Sequence, residues 1–259
     1  MTWFEALVLG LIQGLTEFLP ISSSGHLELG KAILNTPIEQ SLLFTVVVHG
    51  ATVLSIIVVF WKDIASLISE TLKFEWNESS RYMIKILVSM IPIFIIGVFF
   101  EEEVEAFFVG NLVVVGIMLL ITAGMLTLAY FYNPSNKTIT NKSAFFIGIA
   151  QAMAVLPGIS RSGATISAGL LLGAKRNEIT RFSFLMVLIP IIGANFLKLT
   201  EQNFSSVNFD YLPLLIGFLA AFISGLFACK WMIRIINQGK WIYFAFYCLT
   251  VGLIAIIFG

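Results

Sequence analysis

Residues 3 to 34 read WFEALVLGLIQGLTEFLPISSSGHLELGKAIL, an apolar segment interrupted halfway by a proline, three serines and a glycine. Residues 144 to 172 read AFFIGIAQAMAVLPGISRSGATISAGLLL, a second apolar segment whose interruption also carries an arginine. Proline ends a helix, and serine commonly caps the start of the next one. Each segment is therefore predicted to form two short helices joined by a polar turn.

The composition of the whole chain indicates a membrane protein. Of its 259 residues, 58% are hydrophobic and only 12% are charged, and the mean hydropathy is +0.96. A soluble domain carries about a quarter charged residues. Fifteen Lys and Arg balance fifteen Asp and Glu, so the net charge gives no sign of a nucleic-acid partner, and none is expected. We predict an all-α polytopic membrane protein that has membrane lipids as partners.

Six further stretches are long and apolar enough to cross a bilayer, which takes about 20 helical residues. They are Leu42 to Trp61, Tyr82 to Phe100, Leu112 to Tyr132, Phe182 to Leu199, Tyr211 to Ile233 and Trp241 to Phe258. The second arms of the interrupted segments, Leu27 to Leu34 and Ala164 to Leu172, would span less than half of a roughly 30 Å hydrocarbon core. Each interrupted segment is therefore predicted to be a re-entrant helical hairpin.

The two interrupted segments also resemble each other in sequence. A shift of 138 residues superposes Gly10, Gln13, Ser22, Ser24 and Gly25 on Gly148, Gln151, Ser160, Ser162 and Gly163. Each half then consists of one hairpin and three spans, and because three is odd the halves enter the membrane with opposite orientation. We predict one membrane domain, 1–259, made of two inverted-topology repeats, 1–135 and 140–259.

The basic residues support a definite orientation in the membrane. In this topology twelve of the fifteen Lys and Arg lie on one side, with Lys31 and Lys198 opposite and Arg161 within the membrane. Loops rich in Lys and Arg are usually cytoplasmic. Both termini are therefore expected to lie outside.

The first interruption carries a carboxylate at membrane depth. Gln13 and Glu17 are spaced i, i+4 and share one helical face. A carboxylate inside the membrane costs a few kcal/mol or more unless it is paired, hydrated or metal-bound, so a functional role is favoured over a purely structural one. After Pro20 the helix is expected to resume near Ser24, where its free N–H groups form an anion site with His26 nearby. The alternative is that Ser22 to Ser24 only cap that helix.

The second interruption carries a cation. Arg161 stays charged and offers a planar fork that suits phosphate oxygens. Near the middle of the membrane it needs an anionic partner, which is Glu17 at rest and a substrate phosphate during turnover. A purely structural Glu17–Arg161 ion pair is the alternative. His49, in the first span, is interpreted as a packed histidine with one hydrogen-bond partner, with a place in the cavity wall as its alternative.

At QGLTEFLPISSSGH (13–26) and PGISRSGAT (157–165) the chain resembles the bacterial undecaprenyl-diphosphatase family of the bacitracin-resistance type. The resemblance implies an enzyme of the bacterial inner membrane that hydrolyses undecaprenyl diphosphate to the monophosphate. This reaction recycles the lipid carrier for peptidoglycan synthesis and confers bacitracin resistance. The resemblance also implies a divalent cation, Mg²⁺ with Ca²⁺ as the alternative. Relatives can carry Glu where this chain has Gln13.

Together, the residues and the resemblance give a hypothesis for the site. The catalytic residues are Glu17, Ser23, His26 and Arg161, with Glu17 also the metal ligand or else orienting His26. Ser23 is the nucleophile or a phosphate ligand, with His26 as its general base or as the acid, and the reverse assignment with His26 as nucleophile is left open. The expected substrate-binding residues are Gln13, Ser22, Ser24, Gly25, Ser160, Ser162, Gly163 and Thr165.

Two other kinds of protein fit part of the pattern. A lipid-phosphate transporter or flippase would use the same midplane site, since inverted repeats and broken helices are typical of transporters. A non-catalytic scaffold would use buried polar residues only for packing, but it does not explain why Glu, His, Arg and five serines lie in two short turns. A homodimer and the preferred prenyl length are left open.

Overall fold

The computed structural model describes residues 1–34, 36, 38–100, 111–132, 136–201 and 211–259, and these ranges contain helices and no strand. The helices are α1 Trp3–Phe18, α2 Ser23–Leu34, α3 Ile38–Val59, α4 Trp61–Thr71, α5 Glu78–Phe99, α6 Leu112–Phe131, α7 Asn141–Met153, α8 Arg161–Leu171, α9 Arg176–Met186, α10 Leu188–Glu201, α11 Tyr211–Asn237 and α12 Ile242–Phe258. The predicted all-α class is confirmed.

The long apolar helices match the predicted spans. By length and composition α5, α6, α11 and the continuous stretch Arg176–Lys198 can each cross a membrane, and Leu43–Val59 with α4 adds a bent pair. The sixth predicted span is the shorter apolar helix α12. The chain is a multi-pass membrane protein, as its composition predicted.

Helix α4 lies where the sequence interpretation had a loop. It turns 77° away from α3, buries Leu67 and leaves Lys62 exposed. Asp63 pairs with Arg181 of α9 at 2.8 Å, which ties α4 to the second half of the chain. The prediction missed this helix because it rested on uniformly apolar stretches, whereas α4 is amphipathic, with apolar residues at Trp61, Ile64, Leu67 and Ile68 and mostly polar residues between them.

The arms of the two hairpins are longer than predicted. Helix α2 has 12 residues and α8 has 11, which is about 18 and 17 Å and more than half of the hydrocarbon core. Helix α2 begins at Ser23, close to the predicted start near Ser24. The predicted arm starts at Leu27 and Ala164 are too late, because each helix already begins directly after Ser22 or Ser160. In α8 the Ser160 side chain accepts the Gly163 N–H at 3.1 Å. Both arms still fall short of a full crossing.

Helix packing repeats between the two halves. Helix α1 packs against α11, and its counterpart α7 packs against α5, which is the counterpart of α11. A Cβ at Gly10 would collide with the Gly217 carbonyl oxygen, and one at Gly148 would collide with the Ser89 carbonyl oxygen. The two matched glycines therefore allow the same close approach of helix backbones. The inverted orientation of the halves stays a prediction.

The first polar turn lies in the largest buried cluster of the described residues, and Ile159 of the second turn lies in a smaller cluster with Ala150 and Ala164. Phe18, Leu19 and Ile21 of the first turn pack with residues of α6 and α9. Broken backbone at membrane depth is tolerated only where protein or a watery cavity surrounds it, and this core supplies that surrounding protein.

Candidate active site where the two turns meet

The two turns are hydrogen-bonded to each other. The Gly158 N–H donates to Ser22 Oγ at 3.1 Å, and Ser162 Oγ donates to the Leu19 carbonyl at 3.2 Å. Segments about 140 residues apart in sequence therefore form one polar unit. The backbone of Ser22 is left-handed (φ 69°), a conformation that short polar side chains tolerate better than others.

Each turn is built with the same internal hydrogen bond. Ser22 Oγ accepts the Gly25 N–H at 3.3 Å, as Ser160 Oγ accepts that of Gly163. The hydroxyl pairs Ser22–Ser24 and Ser160–Ser162 are both 3.3 Å apart. Capping, the alternative weighed for these serines, therefore describes Ser22 and Ser160. A role of these residues, and of Gly25 and Gly163, in binding phosphate stays a prediction.

Glu17 lies at the centre of the site, with its side chain only 3% exposed. Its Oε1 accepts from Arg161 Nη2 in an ion pair. Its Oε2 accepts from Gln13 Nε2 at 2.9 Å and from Ser23 Oγ at 2.7 Å. A buried carboxylate needs such partners, because an unpaired charge in the interior costs several kcal/mol. The structure thus brings Gln13, Glu17, Ser23 and Arg161 together.

His26 faces away from this cluster. Its Nδ1 donates to the Ser22 carbonyl at 2.8 Å, and its Nε2 lies 2.9 Å from the Tyr247 hydroxyl. The two rings are stacked, with centroids 5.5 Å apart. Within the described residues, His26 has no hydrogen bond to Ser23 or Glu17. The hydroxyl of Ser23 is instead paired with Glu17, so the expected Ser23–His26 pairing is not made here.

His49 lies closer to the site than the sequence interpretation favoured. Its Nε2 is 3.9 Å from Glu17 Oε2, and its side chain is 22% exposed. Its Nδ1 donates to the Thr45 carbonyl at 2.8 Å, the single hydrogen bond expected of a packed histidine. That bond directs Nε2 towards Glu17. The available signal was a histidine in an otherwise apolar span.

Thr122 and Ser183 are further site residues that the sequence interpretation missed. Thr122 Oγ1 on α6 bonds the Gly158 carbonyl at 3.1 Å and accepts the Ser160 N–H at 3.0 Å. Ser183 Oγ lies 2.6 Å from Thr165 Oγ1. Thr165 also bonds the Arg161 carbonyl at 2.8 Å, so the structure places it behind the turn as a support of α8.

A narrow cleft reaches the ion pair. Its lining combines four polar and four apolar residues, namely Glu17, Arg161, Ser162, Ser183, Phe18, Ile56, Phe184 and Val187. Its volume is about 10 Å³, room for one water at most. A diphosphate does not fit into this cleft, but the side chain of Arg161 is 24% exposed and can be reached from outside it.

The donor atoms fit a cation that is shared with a phosphate better than a cation held by protein alone. The described residues contain no group of three or more His, Cys, Asp or Glu that could hold a metal. Gln13 Oε1, however, is buried and has no hydrogen-bond partner. Mg²⁺ is usually bound by one or two carboxylates together with substrate phosphates and water. Glu17 and Gln13 Oε1 match that smaller requirement.

Replacing Tyr247 with phenylalanine tests whether the hydroxyl orients His26. The ring stack survives in Tyr247→Phe while the 2.9 Å hydrogen bond is lost. The rate of the phosphate release that the resemblance implies is therefore expected to fall about 5- to 10-fold, the value of one such bond. The effect should appear in kcat, with KM little changed. Tyr243→Phe, on the same helix and 68% exposed, is the matched control. Equal rates for wild type and Tyr247→Phe would show that the Tyr247 hydroxyl has no role in the reaction.

The fold and these contacts define a polytopic membrane protein with a buried carboxylate–guanidinium site between two broken helices. A family model described as "Bacitracin resistance protein BacA" matches residues 6–254. The chain therefore belongs to the bacitracin resistance protein BacA family.

Individual relatives agree over almost the whole length. A protein of Christiangramia forsetii named undecaprenyl-diphosphatase is 54% identical, covering 100% of this chain and 98% of the relative. A protein of the same name from Bacteroides fragilis is 53% identical, covering 99% of this chain and 98% of the relative. A third undecaprenyl-diphosphatase, from Halothermothrix orenii, is 40% identical, covering 99% of this chain and 98% of the relative.

Proposed function

We propose that the chain is an integral membrane phosphatase that hydrolyses undecaprenyl diphosphate to undecaprenyl phosphate and inorganic phosphate. Family membership and the names of the full-length relatives support this activity. The observation that carries it is the 2.7 Å hydrogen bond from Ser23 Oγ to Glu17, because it joins a nucleophile to a base. The same carboxylate touches the guanidinium of Arg161, a group suited to phosphate. This activity recycles the lipid carrier of cell wall synthesis and accounts for bacitracin resistance.

Ser23 is proposed as the nucleophile, with Glu17 as its general base. Ser23 Oγ forms a bond to the terminal phosphorus and its proton passes to Glu17, while the bond from that phosphorus to the bridging oxygen breaks. Undecaprenyl phosphate leaves with the electron pair of that bond. Water then attacks the phosphorus of the phosphoserine, its oxygen forms the new P–O bond and the bond from phosphorus to Ser23 Oγ breaks. Glu17 returns its proton to Ser23 Oγ, and the proton of the water leaves with the inorganic phosphate. His26 faces away from the cluster and both of its ring nitrogens are bonded, to the Ser22 carbonyl and to the Tyr247 hydroxyl. It is therefore proposed to supply or accept a proton at the leaving phosphate through the Tyr247 hydroxyl.

Arg161 is proposed to exchange Glu17 for the phosphate. In the closed state its guanidinium pairs with Glu17. A diphosphate carries a larger negative charge than the Glu17 carboxylate, and two of its oxygens can accept hydrogen bonds from the planar guanidinium of Arg161. When Arg161 turns to the phosphate, Glu17 is free to take the proton of Ser23. The N-termini of α2 and α8 stabilise the charge further.

A divalent cation is proposed to bind together with the substrate, with Mg²⁺ favoured over Ca²⁺. Glu17 and the unpaired Oε1 of Gln13 would hold it. When bound, the cation neutralises phosphate charge. Around it, Gln13 keeps Glu17 in position through its amide N–H, at 2.9 Å from Oε2.

Replacing Gln13 with glutamate tests this ligand set. A second carboxylate one helical turn from Glu17 repels it unless a cation lies between them, so Gln13→Glu is expected to lower the Mg²⁺ concentration for half-maximal phosphate release by about ten-fold. It should also lower the residual rate in chelator. Gln151→Glu, at the matched and equally buried position of the other repeat, is the control. The same Mg²⁺ dependence in wild type and Gln13→Glu would argue against Gln13 as a ligand.

The proposed topology follows the charge distribution of the chain. We place the two repeats, 1–135 and 140–259, in opposite orientations in the bacterial inner membrane, with both termini outside. The matched packing of α1 on α11 and of α7 on α5 supports this arrangement. The homodimer stays a prediction.

Phosphate release by the purified chain in detergent tests the function directly. Hydrolysis needs no second compartment, whereas the alternative, transport of a lipid phosphate, does. Undecaprenyl diphosphate is expected to release one phosphate per molecule and to leave the monophosphate. Intact lipid after incubation with Mg²⁺ or Ca²⁺ would contradict the proposal.

A further inference from the structure

A groove away from the two turns lies where α5 and α7 begin. We call it the basic groove, and its lining is Trp76, Arg81, Ile84, Lys85, Ile139, Thr140, Asn141 and Lys142. It has a volume of about 570 Å³, large enough for a polar head group. None of these residues takes part in the site between the turns.

Three cations converge on the basic groove. Arg81 and Lys85 are spaced i, i+4 and share one face of α5, and Lys142 lies in the first turn of α7. In the described part of the chain none of the three forms an ion pair with a carboxylate. Their charges are therefore uncompensated there. The preference of basic residues for the cytoplasmic side explains on which side they lie but not why they share one groove.

The start of α7 adds backbone donors to these charges. Thr140 caps the helix, and its Oγ1 accepts the Ser143 N–H at 3.2 Å. The N–H groups of Asn141 and Lys142 have no partner inside the helix, as is general for a first turn. They lie in the groove lining and carry the positive end of the helix dipole.

The rest of the lining is apolar and aromatic. Ile139 is 2% exposed and Ile84 lies beside it in the lining. Trp76 is 69% exposed, as tryptophans at membrane–water boundaries usually are. The guanidinium of Arg81 lies 6.0 Å from the centre of its ring. An anion with an apolar body fits these surroundings better than a free ion.

We propose that the basic groove binds the phosphate-bearing head group of an anionic phospholipid. Arg81, Lys85, Lys142 and the first N–H groups of α7 contact the phosphate, and the half-buried Ile84 contacts the start of the acyl chains. The groove lies at the beginning of the apolar helix α5, which is the level of lipid head groups. The proposal is independent of the reaction between the turns.

Binding of acyl-chain-labelled phosphatidylglycerol to the purified chain in neutral detergent tests the proposal, with energy transfer from tryptophan as the signal. The triple variant Arg81→Gln/Lys85→Gln/Lys142→Gln is expected to weaken binding about a hundred-fold, given about a five-fold effect for each of the three basic contacts. The control Lys62→Gln/Lys73→Gln/Lys230→Gln removes three charges from exposed lysines outside the groove. It should change binding less than two-fold.

Three competitors define what would overturn the proposal. Unlabelled phosphatidylglycerol should displace the probe, whereas phosphatidylcholine and inorganic phosphate should not at the same concentration. Equal displacement by inorganic phosphate would make the groove a site for free anions. Equal losses in both triple variants would make the binding a surface-charge effect. Unchanged phosphate release reports that the triple groove variant folds. If the triple variant does not fold, the single variant Lys142→Gln is used in its place and is expected to weaken binding about five-fold.

Discussion

Replacing Glu17 with glutamine is expected to lower phosphate release from undecaprenyl diphosphate by about a thousand-fold, the usual scale for loss of a general base. The amide keeps the size of the side chain but cannot take the proton of Ser23, which lies 2.7 Å away. The measurement is kcat of the purified variant in detergent with saturating Mg²⁺. Glu28→Gln, in α2 and paired with Lys31 at 3.1 Å, is the control and should stay within two-fold of wild type.

A double variant separates this role from a purely structural ion pair. Glu17→Gln leaves Arg161 without its anion, so it should also destabilise the protein by about 3 kcal/mol. Adding Arg161→Gln removes the unpaired charge and should recover most of that stability, measured by thermal unfolding in detergent. Activity should stay lost. A stable double variant with wild-type phosphate release would mean that the pair only holds the helices together.

Changing Arg161 to lysine is expected to lower kcat/KM by about a hundred-fold, although the charge is kept. Lysine is a point charge on a flexible stem and cannot match two phosphate oxygens with a planar fork. The lost contact acts on the substrate, so the change should appear in both KM and kcat. The two constants are measured with undecaprenyl diphosphate.

The control for Arg161→Lys is the same substitution at Arg181. That arginine also pairs with a carboxylate, Asp63, at 2.8 Å, but its side chain is 43% exposed. Surface pairs of this kind contribute about 0 to 1 kcal/mol, so Arg181→Lys should change kcat/KM less than two-fold. Equal effects at both positions would mean that the guanidinium of Arg161 has no special role.

The broken helices and the central charges could be predicted because each leaves a local signal. Pro20 and the serines mark the first break, and a carboxylate or guanidinium in an apolar segment stands out by its cost. The pairing of Glu17 with Arg161 followed from that cost, since each charge needs a partner. Helix α4 contains no proline break and no charge within an apolar segment. It is an amphipathic helix, and its charged residues made the segment resemble a loop.

Contacts across the fold could not be predicted from the sequence alone. Tyr247 is 221 residues from His26 and is one of many aromatic residues in the spans. Thr122 connects both ends of the second turn, yet a threonine in an apolar helix usually bonds its own backbone. The division of the serines also needed the structure. Ser22 and Ser160 hold the turns, whereas Ser23 faces the Glu17 carboxylate. The different roles of the adjacent residues Ser22 and Ser23 follow from the geometry of the turn, which the sequence does not show.

A crystal structure with a non-hydrolysable analogue, a polyprenyl methylenediphosphonate, would show whether the diphosphate head group binds between the two turns. The terminal phosphonate is expected within hydrogen-bond distance of the Arg161 guanidinium and of Ser23 Oγ, with the contact between Arg161 and Glu17 opened. A head group bound elsewhere, with the Glu17–Arg161 pair still closed, would contradict the account.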